Sequence, residues 1–136
     1  MTIKKLSLSS IPERFAVCQI DHQAKIPDWA FEGEFSFISR TPDELSIICP
    51  ANFIPPEIQY VAGWRGLKIE GPFDFNEIGV LAAITDPLAQ AHISLLTVST
   101  FDTDYIFLQE AQFETAVDIL EAVGHEIDAS EKSIDE

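Results

Sequence analysis

The 136-residue sequence predicts an α+β fold assembled from two related units. Three observations predict it. The second half runs through strand-, helix-, strand-, strand- and helix-like patterns, which is the order of a split βαβ unit. The first half echoes the second at an offset of sixty residues, the mark of a degenerate tandem repeat. A composition 46% hydrophobic and 10% aromatic supplies enough apolar surface to bury a compact core.

Four strand-like runs open the chain: "KLSLSSI" (5–11), "RFAVCQI" (14–20), "EFSFISR" (34–40) and "ELSIICP" (44–50). Between the last two lies "TPDE", whose Pro42 and Asp43 suit a tight turn, so this pair predicts a hairpin. The segment "DHQAKIPDWAFEG" is too short and too punctuated for a long helix. Trp29 within it fills the space that a full first helix would take. A new strand, "WRGLKIEG" (64–71), begins the second half.

There "GPFDFNEIGVLAAITDPLAQAHI" predicts a helix with an explicit start. Asp74 at the N-cap and Glu77 three residues on form an acidic capping box, with Phe73 and Ile78 as the hydrophobic staple. Ile78, Leu81, Ile84 and Leu88 share one face, and Pro87 predicts a kink or a short last turn. "SLLTVST" and "DYIFLQE" form a second hairpin around "FDTD". "FETAVDILEAVG" then predicts an amphipathic helix with Phe113, Val117, Leu120 and Val123 inward and Gly124 as its cap. The sixty-residue offset pairs Ser39 with Ser99, Glu44 with Asp104, Ile47-Ile48 with Phe107-Leu108, Ala51 with Ala111 and Phe53 with Phe113. Residues 1–63 are read as the degenerate unit, 64–128 as the better-formed one, and 129–136 as an acidic, solvated tail.

Charge and motif content narrow the function. Eight basic against 23 acidic residues give a formal charge of −15, a surface that repels phosphate backbones and anionic lipid. Nucleic-acid and membrane partners are therefore not expected. No signal-peptide core and no run of membrane-spanning length occurs, which reads as cytoplasmic. Cys18 and Cys49 lie in apolar strand-like runs, the setting of reduced core thiols; a disulfide between them is the alternative. His22, His92 and His125 sit on different elements without metal-ligand spacing. With no nucleophile elbow, P-loop or dinucleotide fingerprint, no catalysis, metal or cofactor is expected.

The stretch from Trp64 to about His125, most specifically "STFDTDY" and "PLAQA", resembles the tandem ACT-domain family of small bacterial proteins. It is also similar to the ligand-binding repeats of cytosolic arginine sensors of animal cells. The first half matches only loosely, through the internal echo. The resemblance implies two ferredoxin-like (βαββαβ) units packed together, the first with a shortened first helix, and a role in binding small effectors, typically amino acids. The sequence departs from the family at Ile78, where many members have proline, and at His92, where glycine or asparagine is common. Histidine tolerates the left-handed conformation better than most residues.

On these grounds the candidate ligand-binding residues are Asp74, Phe75, Asn76, Ile78, Gly79, Val80, Ser99, Thr100, Asp102 and Asp104. Orphan N–H groups of a first helical turn suit a carboxylate, and Gly79 lets it come close. Asp102 and Asp104 suit an α-amino group or a cationic side chain. A plainer reading stands beside each assignment. Asp74 and Glu77 cap a helix, Asp102 and Thr103 close a turn, Ser99 and Thr100 back-bond to the chain, and Trp64 and Phe101 pack. The first functional reading is a regulatory module binding an amino acid, with arginine or lysine favoured by the acidic site. The alternative is a protein–protein interaction module, a homodimer through an exposed sheet edge. A third is a small enzyme using the Asp102/Asp104 pair.

Overall fold

The computed structural model describes residues 4–71, 73 and 78–128. The architecture is α+β, in two compact units. One takes in the chain up to Pro12 and from Arg65 onward; the other is Glu13–Trp64. The strands are β1 (Ser7–Ile20), β2 (Phe37–Arg40), β3 (Leu45–Pro50), β4 (Tyr60–Ile69), β5 (Leu95–Ser99), β6 (Asp104–Gln109) and β7 (Glu126–Asp128). The α-helices among the described residues are α1 (Val80–Gln90) and α2 (Phe113–Ala122).

Two of the expected strands are one. The runs at 5–11 and 14–20 join into β1 straight through Pro12, and the two units divide at that proline. Proline removes one ladder donor but its fixed φ fits extended backbone.

In the unit Glu13–Trp64, β3 pairs antiparallel with both β1 and β2. The expected hairpin at 34–50 forms, beginning at Phe37 rather than Glu34. Thr41 closes its turn, with its N–H on the carbonyl of Glu44 at 2.9 Å and its hydroxyl accepting from the N–H groups of Asp43 and Glu44. No α-helix occurs among the described residues here. A single 3₁₀ turn, Asp28–Phe31, stands in the interval where the first helix was expected to be short, and Trp29 packs on the small core of Ala16, Cys18, Ala30, Ile47, Cys49 and Ile54. Cys18 and Cys49 are buried free thiols. They hydrogen-bond to each other, which holds the Cys18 thiol below its ordinary value and, together with burial, drives Cys49 far above it.

In the other unit the strands lie in the order β7–β1–β4–β6–β5. Position beside β4, where a fourth ferredoxin-like strand would sit, is taken by the start of β1; β7 then pairs parallel to β1 through Ser7–Glu126, Leu8–Ile127 and Ser9–Asp128. The core joins strand residues Leu8, Leu67, Ile69, Ile106 and Leu108 to Ile84 and Leu88 of α1 and Phe113, Ala116 and Leu120 of α2.

Helix α1 differs from expectation at its start. It begins at Val80, with Gly79 at the N-cap in the left-handed region (φ 86°). The expected capping residues, Asp74 and Glu77, lie outside the described residues. Ile78, expected inward as half of a staple, is 88% exposed, because the left-handed turn at Gly79 separates it from the helical face. Leu81, Ile84 and Leu88 do face the core, Leu81 only in part. The helix continues through Pro87 to Gln90.

Both helices end alike. His92 (φ 62°) and Gly124 (φ 108°) are left-handed. After them Ile93 N–H reaches Leu88 O at 2.9 Å and His125 N–H reaches Leu120 O at 3.1 Å, paired Schellman closures. Gly124 caps α2 as expected.

Candidate functional site

The loop 99–104 is built by its own hydroxyls. Thr100 N–H donates to Thr103 O at 2.8 Å, and the Thr100 hydroxyl both accepts from Thr103 N–H and donates to Thr103 O. Thr103 is buried and its hydroxyl donates to Ile69 O, pinning the turn to β4. The Ser99 hydroxyl donates to the Asp104 carboxylate across the last ladder pair. Asp102 presents its backbone carbonyl to Phe73 N–H at 2.8 Å. A Cβ at Gly71 would stand 2.9 Å from that carbonyl, so this approach requires glycine. Thr100 thus back-bonds to the chain and closes the turn with Thr103, whereas Ser99 bonds a side chain rather than the backbone and Asp102 contributes its carbonyl to Phe73.

The same loop also walls a cavity. A hollow of about 360 Å³ lies between the start of α1 (Gly79, Val80, Leu81, Ala82), Phe73, and the loop from Ser99 to Asp104. Of the sequence-derived candidates, it brings together Gly79, Val80, Ser99, Thr100, Asp102 and Asp104. Ile78 adjoins Gly79 but is not among the lining residues. Asp74, Phe75 and Asn76 lie outside the described residues. The lining also includes Phe73, Leu81, Ala82, Phe101 and Thr103, which sequence reasoning assigned to packing or turn closure or passed over. Apolar wall residues carry no pattern that separates them from core; for Phe73 and Phe101 the nearest signal was their position flanking the acidic loops.

The chemistry on offer is mixed. Val80, Leu81 and Ala82 belong to the first helical turn, whose N–H groups lack intrahelical partners and sit at the positive end of the helix dipole. Ala83 N–H is the first to be satisfied, by Gly79 O at 3.0 Å. Across the hollow stand two carboxylates and three hydroxyls, and Phe73 and Phe101 contribute aromatic faces. An anionic group fits one wall and a cationic group the other. No group of three or more His, Cys, Asp or Glu among the described residues could hold a metal ion. No helix among them is long and apolar enough to cross a membrane.

The strands β4–β6–β5 with two helices, and a hollow at the start of one of them, make an α+β unit with a pocket. Residues 59–122 of the chain match the family model described as "ACT domain". A second family model, described as an N-terminal domain, matches residues 13–57. Over 59 residues the chain is 37% identical to the cytosolic arginine sensor for mTORC1 subunit 1 of Rattus norvegicus. That alignment takes in 43% of this chain and 18% of the relative's length. An X-ray structure of a protein from Agobacterium tumefaciens superposes with a TM-score of 0.90 at 32% identity, over 96% of this chain and 97% of that one. The aspartate kinase of Clostridium acetobutylicum gives a TM-score of 0.63 at 10% identity, over 90% of this chain and 36% of the kinase, a likeness of fold alone.

Proposed function

We propose that this protein is a non-catalytic regulatory module that binds an amino acid in the hollow between the start of α1 and the loop 99–104. In this reading the chain carries two ferredoxin-like ACT-type units, 1–63 and 64–128, the second completed by the strand residues before Glu13, followed by the acidic tail 129–136, and the second unit holds the effector. The observation that carries the reading is the opposition of the two walls. Orphan N–H donors at Val80–Ala82 face an α-carboxylate, and Asp102 and Asp104 face an ammonium or guanidinium. A zwitterion with a basic side chain satisfies both. The arginine-sensor relative supports placing arginine first among the candidates, with lysine next.

A thermal-shift panel of the twenty amino acids tests this. A ligand at a hundred times its dissociation constant adds about 2.7 kcal/mol of stability, a readily measured rise in midpoint. The expected outcome is a rise with a basic amino acid that is lost in Asp104→Asn. A flat panel across all twenty sinks the proposal.

A second reading, a homodimer, draws on one observation: Ile78 and Phe101, near the hollow, are 88% and 79% exposed, and such apolar surface favours a partner. Light scattering decides it. A dimer that reverts to monomer in Phe101→Ser supports the reading, and a monomer at high concentration removes it.

A further inference from the structure

We infer that His125 supplies the hydrogen-bond donor that Pro87 takes away from α1, and thereby positions the helical turn that walls the hollow. In an α-helix the carbonyl of residue 83 accepts from the N–H of residue 87. Here residue 87 is proline, inside the helix, and has no N–H to give. The Ala83 carbonyl, on a buried residue, would be left without its intrahelical donor. The His125 ring fills that place: its Nε2 lies 2.9 Å from Ala83 O.

The other ring nitrogen fixes the assignment. Nδ1 of His125 lies 3.1 Å from the backbone nitrogen of Leu6, which can only donate, so Nδ1 accepts. The proton is then on Nε2, and Ala83 O, which can only accept, receives it. His125 is 3% exposed and both ring nitrogens are satisfied. One side chain therefore ties Leu6, the residue before β1, to α1. It does so from the residue just after the left-handed Gly124, a place where helix closures of this kind usually put an apolar contact back onto the helix. The companion closure follows the usual pattern, with Ile93 there. Histidine at 125 and proline at 87 explain each other, and together they explain why the helix runs on through Pro87.

The consequence for binding rests on the proposed function. Ala83 directly follows Val80–Ala82 in the cavity wall, so the bond at Ala83 O holds that turn against the core. His125 makes no contact in the hollow and acts as a positioning residue.

A double-mutant cycle on the full chain tests the donor substitution without any amino acid present. Pro87→Ala restores a backbone N–H to Ala83 O. His125→Phe should lower the folding equilibrium constant by about tenfold or more in the parent and by clearly less in the Pro87→Ala background. His125→Gln, which keeps a donor and an acceptor, should recover part of the loss. Equal losses in both backgrounds overturn the inference. Nitrogen-15 spectra of the parent protein offer a check that no unfolded variant can spoil. A neutral ring protonated at Nε2, with slow exchange, is expected, and protonation at Nδ1 overturns the assignment. Where the panel identifies a ligand, His125→Gln should weaken it and leave Asp104 contacts intact. A flat panel would remove the binding reading while the cycle and the spectrum still judge the role of His125.

Discussion

At the scale of single residues, Gly79 concentrates the most consequence. Its φ of 86° is a conformation that costs an L-residue roughly 1–2 kcal/mol, while a Cβ added there would meet nothing within 4 Å. Backbone strain, not crowding, is what excludes a side chain. Gly79→Ala should therefore lower stability by about 1–2 kcal/mol, read from denaturant midpoints at unchanged m-value. It should also diminish the ligand-induced shift, since Gly79 lines the hollow. An unchanged midpoint would show that the left-handed turn is not needed. The candidate site was half legible at this scale. Ser99, Thr100, Asp102 and Asp104 announce themselves as a dense run of hydroxyls and acids. The local hydrogen bonds of Ser99, Thr100 and Asp104, however, use the same side chains to shape the turn, and composition does not distinguish the two uses. The start of α1 was misplaced because Asp74 and Glu77 have the spacing of a capping box. That signal is strong enough to hide the glycine that begins the helix five residues later.

At the scale of elements, both hairpins and α2 were legible, from turn chemistry and from hydrophobic period. The two hairpin turns are alike, but at an offset one residue away from the sixty that the sequence suggests. Arg40 faces Leu45 at the end of the first hairpin, and Ser99 faces Asp104 at the end of the second, so the hairpins correspond at an offset of fifty-nine, not sixty. The residue that recurs is the turn-opening threonine: Thr41 and Thr100 each receive a backbone N–H from three residues on and reach back to that residue's carbonyl. The serines and acids of the two hairpins align best at sixty, yet one residue of slip exchanges the two faces of a strand. Fifty-nine sets Ile47 against Ile106 and Cys49 against Leu108, buried with buried. The fusion of two expected strands into β1 is hidden in the sequence because Pro12 reads as a break. An extended chain at a sheet position that needs no donor tolerates it. Likewise Pro87 reads as a kink or a short last turn, yet the helix runs on to Gln90, with the distant His125 ring at the carbonyl that the proline leaves free.

At the scale of the whole molecule, the unit that carries the hollow is not contiguous in sequence. Leu6 and Leu8 belong to its core, Glu126 N–H donates to Leu6 O at 2.9 Å, Glu70 N–H to Ser7 O at 2.8 Å, and β7 finds its partner in β1. Periodicity along the chain cannot reveal this, because strand pairing between residues more than a hundred positions apart leaves no local pattern. A fragment of residues 64–128 contains most of the matched ACT segment (59–122), including its last helix, but it lacks those two leucines, the acceptor at Ser7 and the backbone N–H that donates to His125 Nδ1. Truncating one buried leucine commonly costs about 2–5 kcal/mol, comparable to the whole stability of a small domain. The fragment should accordingly show no cooperative thermal transition by circular dichroism, whereas the full chain does. Joining residues 4–12 to the end of the same fragment through a flexible Gly/Ser linker should restore a transition, because the strand then reaches its place between β4 and β7. In that background Leu8→Ala should abolish it again. A fragment of 64–128 that melts cooperatively on its own would show that the first strand is an accessory to this unit. The predicted failure instead makes the N-terminal strand, remote in sequence from every residue of the hollow, a condition for the hollow to exist.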